Sequence, residues 1–140
     1  MTPPLIAIDT HVLVRFLMAD DPLQARHARQ LVETRRVLVT TTVLLETEWV
    51  LRSGYGCRPS SIERYFQAFL GLPGVELREP EAVAEALKGY ATGMDFADAL
   101  HLALADQAAG FASFDRRLIA KARKRTQRDL RLPQDWTAAE

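Results

Sequence analysis

Short apolar runs alternate with longer amphipathic stretches along the chain. Leu5-Ile6-Ala7-Ile8 is continuous apolar sequence ending at Asp9, the pattern of a strand covered on both faces, as in a parallel sheet. Val12 to Met18 predicts a short helix stopped by Asp20-Asp21-Pro22, and Pro22 suits the first turn of a second helix reaching about Arg35. Val37-Leu38-Val39 predicts the second strand. Thr40-Thr41-Thr42 then offers capping hydroxyls for a helix from Val43 to Arg52, closed by Gly54 and Gly56. Ser60 and Glu63 have capping-box spacing, which predicts a helix from about Ser61 that ends before Gly71 and Pro73.

Val75-Glu76-Leu77 predicts a weak third strand, and Pro80 opens a helix to about Tyr90. Asp95 starts an Ala/Leu-rich helix expected to end at Gly110. Phe111 to Phe114 predicts a fourth strand, ending at Asp115. Arg116 to about Thr126 reads as helical, and Leu130-Arg131-Leu132 as a short fifth strand. Strands alternating with helices predict an α/β fold with a mostly parallel sheet and helices on both faces. Helices outnumber strands, so a helical pair over about Thr41 to Leu70 is expected to project from the sheet.

The chain has 140 residues, which fits a single domain over 1–140. With 48% hydrophobic residues it can build a core without staples. Its 18 basic and 18 acidic residues balance, which excludes a global basic field for nucleic acid; if RNA is the substrate, local patches must attract it. Cys57 is the only cysteine, so an intrachain disulfide and a Cys-rich metal site are excluded. Met1-Thr2-Pro3-Pro4 lacks signal-peptide character, and no apolar run is long enough to span a bilayer. The expectation is a soluble, cytoplasmic protein with no membrane partner.

Four carboxylates stand where chemistry would need them. Asp9 ends the first predicted strand and Asp115 the fourth; Glu46 lies early in the helix after the second strand, and Asp98 one turn into the helix opened by Asp95. In open α/β sheets, ligands bind outside the carboxyl ends of the strands. Carboxylates held close repel unless a cation lies among them, and Mg2+ or Mn2+ prefers oxygen ligands. Each acid also has an ordinary use. Asp9, Asp95 and Asp115 can cap the helices that follow them, and Asp98 suits a positive helix end. Glu46 and Glu48 point about 200° apart on a helix, so only one faces a common site. Glu48 has Arg52 four residues later, the order of a surface ion pair, while Glu46 shares spacing with Val43, Trp49 and Val50, expected to be the more buried face. Periodicity alone does not choose between them. His101, three residues after Asp98, suits either a ligand or a partly buried packing residue.

Taken in order, Ile8-Asp9-Thr10, Val43 to Leu51, Asp95 to His101 and Ser113-Phe114-Asp115 resemble the motifs of PIN-domain ribonucleases, closest to the VapC-like toxins of type II toxin–antitoxin systems. The resemblance runs from the first strand to about Leu118. It implies a three-layer α/β/α sandwich with a central parallel sheet, Mg2+ or Mn2+ as cofactor, and hydrolysis of RNA phosphodiester bonds. It maps the acidic site onto Asp9, Glu46, Asp98 and Asp115, choosing Glu46 over Glu48. Asp95 is then auxiliary, and Thr10 and Ser113 supply supporting hydroxyls. It implies a homodimer and a cognate antitoxin lying in a groove between helices. His11 departs from the Asn often found there, a change that removes no carboxylate.

Two further features carry expectations. Arg116, Arg117, Lys121, Arg123, Lys124, Arg125 and Arg128 form a basic run beside Asp115, either a solvated helix face or a strip that positions RNA phosphates. Trp49, Tyr55, Tyr65, Phe66 and Phe69 are core or line a partner groove. A receiver-like signalling domain is the alternative from another class. It needs a Lys after a late strand, and none is so placed. A catalytically idle domain of the same family, binding RNA or protein, conflicts with the presence of all four acids. An RNA-processing role outside toxin–antitoxin systems is a variant within the enzyme class.

Overall fold

The structure, a computed structural model, describes residues 2–138. The chain divides into two compact units, one ending at Pro80 and the other beginning at Glu81.

In the first unit, β1 (Leu5–Ala7), β2 (Arg36–Val39) and β3 (Val75–Leu77) form a parallel sheet in the order β1-β2-β3. Ile6 stands opposite Val37, and Val37 opposite Val75. The central strand contributes Val37 and Val39, both fully buried. Parallel neighbours cannot be joined by a tight turn. α1 (Thr10–Met18) and α2 (Pro22–Thr34) connect β1 to β2; α3 (Thr41–Trp49), a π-helical turn (Val50–Gly54) and α4 (Pro59–Leu70) connect β2 to β3. Leu13, Val14, Leu44, Leu51, Ile62, Phe66 and Phe69 fill the core, each buried side chain worth about 1.5–3 kcal/mol. Phe16 meets Phe69 edge-on at 5.3 Å. The helices start at capped positions: Asp9 accepts from His11 N–H, Asp21 from Gln24 N–H and Thr40 from Val43 N–H.

The second unit holds α5 (Pro80–Ala91, from its second residue on), α6 (Phe96–Leu104), β4 (Gly110–Ala112), α7 (Arg116–Arg123), β5 (Asp129–Arg131) and α8 (Pro133–Thr137). β4 and β5 pair in parallel, with Phe111 opposite Leu130. Val83, Leu87, Tyr90, Phe96, Leu100, Leu118, Ile119 and Leu130 are buried, and Tyr90 meets Phe96 edge-on at 5.2 Å. α5 and α6 approach closely at Gly89, where a Cβ would lie 3.1 Å from the Met94 sulfur and 3.3 Å from the Ala99 Cβ.

The α/β class and all five predicted strands are present, with the strand pairs hydrogen-bonded as a three-stranded and a two-stranded sheet. Several elements differ from expectation, among them the end of β4 at Ala112 rather than Phe114. α4 starts at Pro59 with Arg58 at its N-cap and no side-chain cap, so Ser60 and Glu63 make no capping box: a proline fixed at the first helical position takes precedence. α6 stops at Leu104 rather than Gly110, because the last segment is used up in turns before β4. α8, led by Pro133, was not expected at all. Among the described residues, no helix is long and apolar enough to cross a membrane.

Candidate functional site

Asp9 follows β1 and caps α1, and Thr40 follows β2 and caps α3. Parallel strands bring both helix starts to the same edge of the sheet. The Asp9 cap uses one carboxylate oxygen, Oδ1, which accepts from His11 N–H at 2.7 Å; its side chain is otherwise largely open to solvent. Thr10 is buried, and its hydroxyl donates to Glu46 Oε1. The residue after Asp9 therefore fixes the carboxylate of Glu46, and these acids share one neighbourhood within the first unit.

Glu46 and Glu48 part company here, in a way the apolar spacing misjudged. Glu46 lies on the exposed face with Trp49, which is 59% exposed; Glu48 is the buried one, at 2%. The Glu48–Arg52 pair forms as expected, with Arg52 Nε 2.8 Å from Oε2, but its carboxylate end lies in the interior rather than on the surface. The expected burial of the Glu46 face was wrong because Leu44, Thr47 and Leu51, with Glu48, point inward instead.

In the second unit, Asp95 caps α6 by accepting from Asp98 N–H at 3.1 Å, and Asp115 caps α7 through Oδ1, accepting from Arg117 and Leu118 N–H. The capping roles foreseen for Asp9, Asp95 and Asp115 are thus all real. They use one oxygen apiece, which leaves the second oxygen outside the cap. Ser113 Oγ accepts from Asp115 N–H at 3.0 Å, setting the bend before α7. Asp98 is half-buried. Its carboxyl is held above the usual value by burial first, then by the charges of Asp95 and Asp115, with a small opposing pull from His101. His101 itself is exposed, so it is not the packing residue that one reading foresaw.

The basic run is not one strip. Arg123 donates to Leu130 O, Lys121 to Gly93 O, Arg125 pairs with Glu85, and Arg128 donates to Leu102 O and Ala105 O. These side chains tie the second unit together. Arg116, Arg117 and Lys124 are exposed. Of the aromatic set, Phe66 and Phe69 are core, Tyr55 and Tyr65 half-buried, and Trp49 exposed. Sequence reasoning passed over Phe114, read as a strand residue. It lies beyond β4 in a bend and is 78% exposed.

The profile of the PIN domain matches residues 6–124, most of the chain. The chain belongs to the PIN-domain family. The match takes in all four motif acids and ends before β5 and α8. No curated protein matches the chain. PIN domains are generally metal-dependent nucleases, so the donor set can be tested against a divalent ion. Among the described residues, no three His, Cys, Asp or Glu side chains are gathered into a ready cage. The chemistry of the donors nevertheless suits a hard cation, since they are oxygen ligands. The Asp98 carboxyl is raised first by burial and then by the charges of Asp95 and Asp115.

Proposed function

We propose that this PIN domain is an endoribonuclease that hydrolyses phosphodiester bonds in single-stranded RNA with Mg2+ or Mn2+, and that it is the toxin of a type II toxin–antitoxin pair. The observation that carries the nuclease reading is the family match over residues 6–124, which spans Asp9, Glu46, Asp98 and Asp115. That match crosses both compact units, which supports treating them as one functional domain. The toxin assignment rests on the resemblance of the four ordered motifs to VapC-like chains.

In this reading Asp9 and Asp98 are the principal metal ligands, with Glu46 and Asp115 completing the set directly or through water. A bound divalent ion supplies a water of lowered pKa and offsets phosphate charge. The remaining work belongs to side chains already placed. Thr10 holds Glu46 by its hydroxyl, Ser113 fixes the backbone of Asp115, and Asp95 anchors the start of α6. Arg116 and Lys124 attract phosphates from solvent; Arg123 does so less, because its guanidinium is engaged with Leu130 O. The proposed partners are the RNA substrate, a cognate antitoxin and a second copy of the chain, with a cytoplasmic location. Trp49 and Leu23 are exposed apolar positions in the first unit that could serve a protein contact.

The test is cleavage of a labelled single-stranded RNA by antitoxin-free protein. Cleavage should stop in EDTA and return with Mn2+ or Mg2+, and Asp9→Asn should slow it at least about 100-fold. Cleavage by Asp9→Asn at the wild-type rate contradicts the assignment.

A further inference from the structure

Phe114 stands between the hydroxyl and the carboxylate that shape the end of β4, and it is the most exposed large apolar side chain described, at 78%. Single exposed apolar residues are common and need no explanation by themselves. This one differs in its setting. Ser113 N–H donates to Arg131 O, continuing the ladder to β5, and Ser113 Oγ accepts from Asp115 N–H. Asp115 is in turn locked to the start of α7 by two accepted bonds. The residues on both sides of Phe114 are therefore pinned, so the ring is presented on a fixed backbone instead of a loose loop. Arg116 and Arg117, both exposed, follow directly after Asp115. An aromatic face and two guanidinium groups flanking a carboxylate form the combination that grips single-stranded nucleic acid. The ring takes a base, and the arginines take the adjoining phosphates.

Building on the nuclease reading, we propose that Phe114 is a base-stacking residue that seats one unpaired nucleotide beside Asp115 and so makes the site selective for single-stranded RNA. A base within an A-form duplex already has both faces covered, and the grooves display its edges and the 2′-hydroxyls. A fixed ring can stack only on a base that has left that arrangement. Phe114 touches the substrate and positions it; the carboxylates carry the reaction.

The experiment measures binding of a fluorescently labelled single-stranded RNA, and of the same RNA in a duplex, with EDTA present so that affinity is read without turnover. Phe114→Ala and Phe114→Leu should each weaken single-strand binding about 5- to 100-fold, because Leu keeps apolar surface but has no π-face. Phe114→Trp should retain binding, with its indole emission changing as RNA is added. Duplex binding should be weaker throughout and indifferent to these changes. The salt dependence should stay as in wild type for Phe114→Ala and flatten for Arg116→Glu with Arg117→Glu, since only the arginines release counterions. The exposed position means that Phe114→Ala should melt at the wild-type temperature. Single-strand affinity unchanged in Phe114→Ala, or retained in Phe114→Leu, overturns the stacking role. So does a change in oligomeric state without a change in RNA affinity, which would mark the ring as a contact between copies. These results leave the nuclease reading intact if the wild type still cleaves with Mn2+. A wild type that neither cleaves nor binds single strands removes both.

Discussion

Glu48 on α3 and Asp98 on α6 are carboxylates drawn out of water to different extents, and their surroundings have opposite character. Glu48 retains 2% exposure, and the Arg52 guanidinium reaches both of its oxygens, at 2.8 and 3.4 Å. Asp98 is half-buried, and the charges that act on it most are those of Asp95 and Asp115. A buried charge needs a partner to be tolerated. The fold gives Glu48 that partner internally, as a scaffold element should have. At Asp98 burial acts together with more of the same charge. In the proposed reading, the company a carboxylate keeps is what sets the structural Glu48 apart from the metal-binding Asp98.

The largest effect that could break this contrast is on catalysis. Asp98→Asn should lower the rate of RNA cleavage at least about 100-fold, while Glu48→Gln should leave the rate per folded molecule near wild type. Equal losses in single-turnover assays, corrected for folded fraction, would erase the distinction.

A smaller effect should appear in stability, with the roles exchanged. Arg52→Ala strips a counter-charge from the interior carboxylate of Glu48. It should cost about 1–3 kcal/mol, below the value for a fully buried pair because Arg52 is itself partly exposed. Asp98→Asn in metal-free protein should stay within about 0.5 kcal/mol of wild type. Urea denaturation measures both, and a larger loss for Asp98→Asn would reverse the reading.

The smallest effects are in pH dependence, and here the signs differ. The Asp98 carboxyl titrates above 3.8 in the native state, so between its unfolded and native values the native state binds more protons. Its contribution to metal-free stability therefore falls as pH rises through that window. Asp115→Asn, which keeps a capping side chain, should shrink the trend. Asp20 behaves in the opposite way. The Tyr55 hydroxyl donates to it at 2.7 Å and holds its carboxyl below 3.8. Its contribution is present above the unfolded value and is lost as pH falls through the native one, a loss that Tyr55→Phe should reduce. Carboxyl NMR titrations of the two residues check both directions, and a shift of the same sign at both would blur the contrast.

Much of this was legible in the chain itself, for reasons that differ by element. β1 and β2 announce themselves as apolar runs because strands of a parallel sheet are covered on both faces. Asp9, Asp95 and Asp115 stand at helix starts because a carboxylate there satisfies exposed N–H groups, and that local rule survives whatever surrounds it. What stayed hidden depends on packing. The faces of α3 carry apolar residues on several sides, so spacing leaned toward a buried Glu46 face without deciding it, and Glu48 is the buried one. The basic run looked continuous, although Arg123, Arg125 and Arg128 turn to distant partners in the second unit. The start of α4 shows one local signal overruling another, Pro59 over the Ser60–Glu63 pair. Phe114 carried no sequence signal, since only a bend after β4 distinguishes an exposed ring from a buried one.

The central claim is that Asp9, Glu46, Asp98 and Asp115 all contribute to binding a divalent ion. Electron paramagnetic resonance of Mn2+ added to purified protein tests it without substrate or antitoxin. The account predicts a saturable site whose affinity drops about 10- to 100-fold in each of Asp9→Asn, Glu46→Gln, Asp98→Asn and Asp115→Asn, and holds in Glu48→Gln. A wild type with no saturable Mn2+ site, or one indifferent to these four changes, would contradict it.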